Sequence, residues 1–475
     1  MKKKPLPFIH PYIPNSVPEI QAEMLADIGV EDIEDLYADI PGELRFHGKM
    51  NLPEPLVSEY DLKRHVEGIL ARNRTCKENL SFLGGGCWQH YVPAVCDEIN
   101  RRSEFLTAYA GEPYEDHGRF QALFEYESLM GELLEMDVVN VPTYDWAQAA
   151  STAARMAGRI TGRRRLLISS YVSPDRLAVI RNYCDPVMSL QAVGHDPDTG
   201  LLDLEDLKAR LTPETAGLYL ENPSYLGVIE TRGRETAELL HARDALLIVG
   251  VDPSALGILV PPSRYGADIV CGDIQPLGMH LNYGGGLAGF IATHDDPCFV
   301  REYPSRLFGI TRTRVKGEYG FGDVAYERTS FDGREKGKEF VGTHSALWGI
   351  TAAVYLSLMG PRGMQELGRA ILQRAQYLMQ RLNELPGVRA PRFRSPHFKE
   401  FVVDFNGTSK TVSQINAFLR ERDIFGGKDL AAEFPDQGEC ALYCVTEIHR
   451  QHDLDRLVDA LRDFLEERGG HEHAG

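Results

Sequence analysis

The chain has 475 residues, 43% hydrophobic and 25% charged, which is the composition of a globular protein with room for more than one core. A formal net charge of −18 argues against a broad polyanion-binding face, because nucleic acid would have to overcome that field. No apolar run reaches the ~20 residues of a membrane span, and the basic start MKKKPLPFIHPYIPN lacks the apolar core and cleavage site of a secretion signal.

In chain order, residues 1–80 read as a helical arm. Ile20, Met24, Leu25 and Ile28 recur at helical spacing, a short helix follows around Ile33 and Leu36, and Pro41 stops it. PLVSEYDLKRHVEGILARN supplies another helix. Such an arm cannot bury its own apolar stripes and must lie on the rest of the protein or on a partner.

Residues 81–350 read as a large α/β domain. Short apolar segments recur at 165–172, 190–194, 216–222, 245–252, 267–273 and 287–293, most of them separated by helices such as DLEDLKARLT and RETAELLHARDA. Near-continuous apolar strands alternating with helices indicate a mostly parallel sheet covered on both faces. Ligands of such sheets bind beyond the carboxyl ends of the strands. Arg163, Arg164 and Arg165 read as a solvated corner between helix and strand.

Residues 351–475 read as a long helix followed by a small α+β domain. Its last helix carries Leu454, Leu457, Val458, Leu461, Phe464 and Leu465 as one stripe. Cys440 and Cys444 share a face of a strand and read as a core pair, since no second ligand pair matches them. The eight cysteines are scattered, which points to reduced thiols and the cytoplasm. The terminal HEHAG reads as a frayed tail.

No metalloprotease helix, phosphate loop or nucleophile elbow is present. GGGCW (84–88) and GGGLAG (284–289) lack dinucleotide spacing. They are either turns in which the backbone passes closely or ligand-facing loops.

The order of longer motifs is more specific. YIPN (12–15), IGVEDIEDLYADIPGELR (28–45), HYVPAVCDEINRRSEFLTAYAGEPYE (90–115), QALFEYESLMGELLEMDVVN (121–140), YLENPSYLGVIE (219–230), VGVDPSALGIL (249–259) and YGADIVCGDIQPLGMHLNYGGGLAGFIAT (265–293) follow one another. Together they resemble subunit 1 of the two-subunit glycine dehydrogenase (decarboxylating), the P-protein of the glycine cleavage system, over nearly the whole chain. The resemblance implies the aspartate-aminotransferase-like fold type I of pyridoxal-phosphate enzymes. It also implies a homologous subunit 2 that carries the cofactor lysine, with subunit 1 completing that active site across the interface. Glycine would lose CO2 there, and its aminomethyl group would pass to the lipoyl arm of the carrier H-protein. Two copies of each subunit would make a heterotetramer.

The residues then test whether this chain could hold the cofactor itself. A Schiff base needs a lysine after the strand that ends at 273. Gln275 and Pro276 stand there, and no lysine occurs between Lys208 and Lys316. Asp252 stands where the partner of the pyridinium nitrogen would be; its other reading is a strand-end aspartate capping the next turn. Trp146 replaces a glycine expected in the phosphate turn, and Ser173 replaces a histidine expected to stack on the ring. The pocket formed by Trp146, Ser173, Asp252, Gln275 and Pro276 therefore reads as vestigial.

Three segments are expected to serve the partner's site. The first carries Trp88, Gln89, His90 and Tyr91, with Trp88 and Gln89 in place of the family's tyrosine and aspartate. The second, TAYAGEPYEDHG, carries Tyr109, Asp116 and His117, the last suited to proton transfer. The third, GKEFVGTHSAL, keeps Thr343. Each could instead be structural. Because the departures fall on substrate-facing segments, two alternatives stand beside the glycine enzyme: a paralogue acting on another amino acid or amine, and a non-catalytic scaffolding subunit.

Overall fold

The computed structural model describes residues 9–46, 48, 50–106, 119–285, 287–339 and 345–466. The chain divides into two compact units, Met1–Arg74 and Thr75–Gly475. The first contains two α-helices, α1 (Pro18–Ile28) and α2 (Glu59–Leu70), with a 3₁₀ turn at Ile33–Tyr37 capped by Asp32. No residue of α1 or α2 is buried.

The second unit is built on a seven-stranded sheet. Its strands are β1 (Val138–Val139), β2 (Arg165–Ser169), β3 (Ser189–Val193), β4 (Thr215–Glu221), β5 (Leu246–Val251), β6 (Ile269–Asp273) and β7 (Gly289–Thr293). Their spatial order is β1-β7-β6-β5-β4-β2-β3. The pairs β2/β3, β2/β4, β4/β5 and β5/β6 are parallel, whereas β7 runs antiparallel to both of its neighbours. Every residue of β4, β6 and β7 is buried, which is why these segments read as unbroken apolar runs rather than alternating ones.

Two cores flank the sheet. One gathers Leu167, Leu218, Val249 and Val270 with Tyr126 and Met130 of α3 (Arg119–Leu134) and Ile371 of α5 (Ala346–Leu382). The other gathers Leu166, Tyr219, Ile248 and Cys271 with the alanine face of α4 (Trp146–Thr161). Ala149, Ala150, Ala153, Ala154 and Ala157 are all buried, and their small side chains let α4 lie close on the sheet. Helix α5 is interrupted at Gly360, φ +59°, immediately before Pro361, whose missing N–H cannot continue the hydrogen-bond ladder.

The smaller sheet joins β8 (Glu400–Asp404), β9 (Lys428–Asp429) and β10 (Cys440–Cys444) in the order β8-β10-β9. Helices α6 (Val412–Arg420) and α7 (Gln451–Glu466) contribute to its core, with Leu454, Leu457, Val458 and Leu461 buried as the stripe predicts. Leu80–Ser81 pairs in parallel with Ile424–Phe425, so the chain from Leu80 onward is tied to this domain.

The arginine corner differs from its sequence reading. Arg163 donates to the carbonyls of Thr215 (3.0 Å), Arg243 (2.7 Å) and Asp244 (3.0 Å), satisfying backbone acceptors where strands begin. Cys440 and Cys444 are buried, and no cluster of metal-ligating side chains occurs among the described residues. No helix of the described residues is long and apolar enough to cross a membrane.

Candidate functional site

The carboxyl ends of β4, β5 and β6 converge on one region, and five of the residues singled out in the sequence meet there. β6 ends at Asp273, and the chain turns through Gln275 and Pro276, both buried. The Gln275 amide nitrogen donates to the carbonyls of Trp88 (2.9 Å) and Met279 (3.2 Å), and its oxygen accepts the Trp88 N–H (3.1 Å). Thus Gln275, beside the position a Schiff-base lysine would occupy, clasps the glycine-rich loop instead. Pro276 offers no amine.

Asp145 caps α4 by accepting the Gln148 N–H (2.7 Å), and the Asp273 carboxylate accepts the Trp146 N–H (3.2 Å). Two carboxylates therefore hold the helix terminus, where backbone N–H groups would otherwise favour an external anion. Burial pushes the Asp273 carboxyl up to about 7, although the N–H groups of Gln275, Ala288 and Trp146 pull it the other way.

The Trp146 indole is 4% exposed and donates to the Tyr219 hydroxyl at 3.0 Å. The Arg176 guanidinium lies over it at 4.1 Å and forms a bidentate pair with Glu221, at 2.6 and 2.7 Å. Gly250 of β5 makes the space: a Cβ there would stand 2.7 Å from the Tyr219 hydroxyl and 2.9 Å from the indole. Ser173, 3% exposed, precedes the helix Pro174–Cys184 and makes no side-chain cap. A cavity of about 290 Å³ remains between Trp146, Ser173, Arg176 and Gly84–Cys87. That lies just below the range of roughly 300–1,000 Å³ typical of small-molecule pockets.

Asp252 satisfies both of its sequence readings at once. One oxygen accepts from the Ser254 N–H (3.0 Å) and hydroxyl (2.7 Å), capping the turn. The other stands 2.5 Å from the ammonium of Lys399. Lys399 immediately precedes β8 and is 2% exposed; its ammonium also lies 3.6 Å over the Trp88 ring and 3.2 Å from the His90 ring. Sequence reasoning missed Lys399 because it lies 147 positions after Asp252. The one signal is a lysine set against the apolar run of HFKEFVVDF.

In the loop before this pocket, Gly84 is required by close approach, because a Cβ would collide with the Glu400 carboxylate. That carboxylate accepts the Gly85 N–H at 2.6 Å. GGGCW is therefore a turn wrapped on the small domain. Trp88 and His90 point inward at 3% and 8% exposure, whereas Tyr91 is 66% exposed. The Gln89 carbonyl accepts from the Thr446 hydroxyl (2.6 Å). His90 contacts Glu447 through Nδ1 (2.8 Å), and the same carboxylate accepts the Tyr91 N–H (2.7 Å). Burial would raise the Glu447 carboxyl, but His90 and the Tyr91 N–H hold it at about 2. Tyr109, Asp116, His117 and Thr343 lie outside the described residues.

The sheet order, with one antiparallel strand inserted beside β6 and a small C-terminal domain, defines the class: fold type I of the pyridoxal-phosphate-dependent transferases. A sphingosine-1-phosphate lyase of Burkholderia pseudomallei shares this fold at TM-score 0.63, with 16% identity over 89% of this chain and 94% of that one. The family model described as glycine cleavage system P-protein matches residues 10–461, and the chain belongs to that family. It is similar to the probable glycine dehydrogenase (decarboxylating) subunit 1 of Staphylothermus marinus, 40% identical over 96% of this chain and 99% of the relative. It is also similar to a crystal structure of glycine decarboxylase (P-protein) of the glycine cleavage system in inhibitor-bound form. That match has a TM-score of 0.83 and 33% identity, and covers 96% of this chain and all of that one.

Proposed function

We propose that the chain is the lysine-less subunit of a heteromeric glycine dehydrogenase (decarboxylating), completing the active site of a homologous subunit that binds the pyridoxal phosphate. The observation that carries this reading is the buried turn at Gln275–Pro276, where the cofactor's amine is missing and the neighbouring side chain is committed to the loop. The other attachment points agree. Asp252, the candidate partner for the pyridinium nitrogen, is already paired with Lys399, and the α4 terminus is held by Asp145 and Asp273. The residues present do not fit a pyridoxal phosphate in this chain, so we assign the cofactor to the partner.

Full-length similarity to subunit 1 proteins supports glycine as substrate over another amine, and a catalytic subunit over a scaffold. On this reading Tyr91, open to solvent, is offered to the partner's site together with the segments carrying Tyr109, Asp116, His117 and Thr343. The lipoyl arm of the H-protein is the acceptor of the aminomethyl group. The free cysteines suit a cytoplasmic enzyme.

The test is spectroscopic. The chain purified with added pyridoxal phosphate should be colourless after desalting. Copurified with its lysine-bearing homologue, it should yield a yellow complex that exchanges the glycine carboxyl group with bicarbonate. A yellow isolated chain would overturn the assignment.

A further inference from the structure

We infer that Lys399 is a positioning residue for the loop 84–91: standing on Asp252 inside the disused pocket, its ammonium orients His90, which with Glu447 sets the backbone at Tyr91. The inference deepens the reading above, in which Tyr91 faces a partner's active site.

The argument starts from solvation. An ammonium at 2% exposure is tolerated only when it is paired and hydrogen-bonded. Lys399 has such a cage: the Asp252 carboxylate at 2.5 Å, the Trp88 ring at 3.6 Å, the His90 Nε2 at 3.2 Å and the Ser254 hydroxyl at 3.5 Å. Its backbone is left-handed, φ +46°, a conformation that a lysine keeps only where its surroundings over-determine it. The Val445 N–H donates to its carbonyl at 2.8 Å, two residues before Glu447.

Direction follows from donor and acceptor chemistry. An ammonium has donors and no acceptor, so Lys399 can bond His90 only if Nε2 presents its lone pair. The imidazole proton then sits on Nδ1, which donates to Glu447 at 2.8 Å. The other oxygen of Glu447 accepts the Tyr91 N–H at 2.7 Å. The chain Asp252–Lys399–His90–Glu447–Tyr91 thus runs from the end of β5 to an exposed aromatic side chain. Trp88 adds a second tether, since its ring lies under the ammonium and its backbone is clasped by Gln275. A pocket with no cofactor to hold has kept its carboxylate and given it an internal cation.

A role in charge balance alone makes a different forecast, and the double variant Asp252→Asn/Lys399→Met separates the two. It removes both charges, so charge balance alone leaves the loop as it was. The positioning role requires hydrogen exchange at the Trp88 and Tyr91 amides to rise at least tenfold, while amides of β10 keep their rates. Unchanged exchange at both loop amides would overturn it. A second measurement needs no substitution. In the full chain with ¹⁵N-labelled histidine, His90 should be the Nδ1–H tautomer, and an Nε2–H tautomer would overturn the inference. Both readouts use this chain alone. Their failure leaves the cofactor's assignment to the partner standing, and a coloured isolated chain would leave them intact.

Discussion

Pro276 and Asp273 show how much one position decides. Restoring the amine by Pro276→Lys should not restore imine absorbance when pyridoxal phosphate is added, because Lys399 still occupies Asp252 and two carboxylates still hold the α4 terminus. A yellow product with Pro276→Lys would show that the lysine alone was lacking. At Asp273 the prediction concerns pH. The ordinary value of 3.8 rises to about 7 on burial, so between about pH 4 and pH 7 the native state holds a proton that the unfolded state has released. Stability from this group is complete below about pH 4 and is lost as pH climbs to about 7, a difference on the order of 2–4 kcal/mol. Asp273→Asn should flatten that decline in denaturant titrations at pH 5 and pH 8, at the expense of the bond to the Trp146 N–H. The aspartate and the missing lysine were both legible in the sequence. The commitment of Gln275 to Trp88 was not, because its partner lies 187 positions away.

Strand β5 and helix α4 carry the next lesson. The strand was legible from ALLIVGVD, since residues buried on both faces leave a continuous apolar run. The helix was legible from its small residues and from Asp145 as cap. Their fit depends on Gly250, whose absent side chain receives the Trp146 indole. Gly250→Ala should destabilise the protein by about 1–3 kcal/mol, because both the indole and Tyr219 are buried and cannot withdraw. A fall in the urea midpoint together with a shifted tryptophan emission would report the displaced ring. The glycine loop 84–91 belongs to the same scale. The sequence left it open between a close-packed turn and a ligand-facing loop; Glu400 resolves that, because Gly84 gives it room and Gly85 donates to it.

Across the whole molecule, the proposed assembly predicts that the chain coexpressed with its lysine-bearing homologue elutes as one larger species, with two copies of each subunit by mass. Separate elution would sink the pairing. The sequence by itself determined the parallel sheet, the succession of strand and helix, and the absence of a lysine after β6, because each is written in local pattern or in the identity of one residue. Only the tertiary structure decided what replaced the cofactor's contacts. Lys399 reaches Asp252 from the small domain, and Trp88 and His90 turn inward while Tyr91 turns out. The physical reason is that a buried charge selects its partner by distance through space, and periodicity along the chain carries no record of that distance.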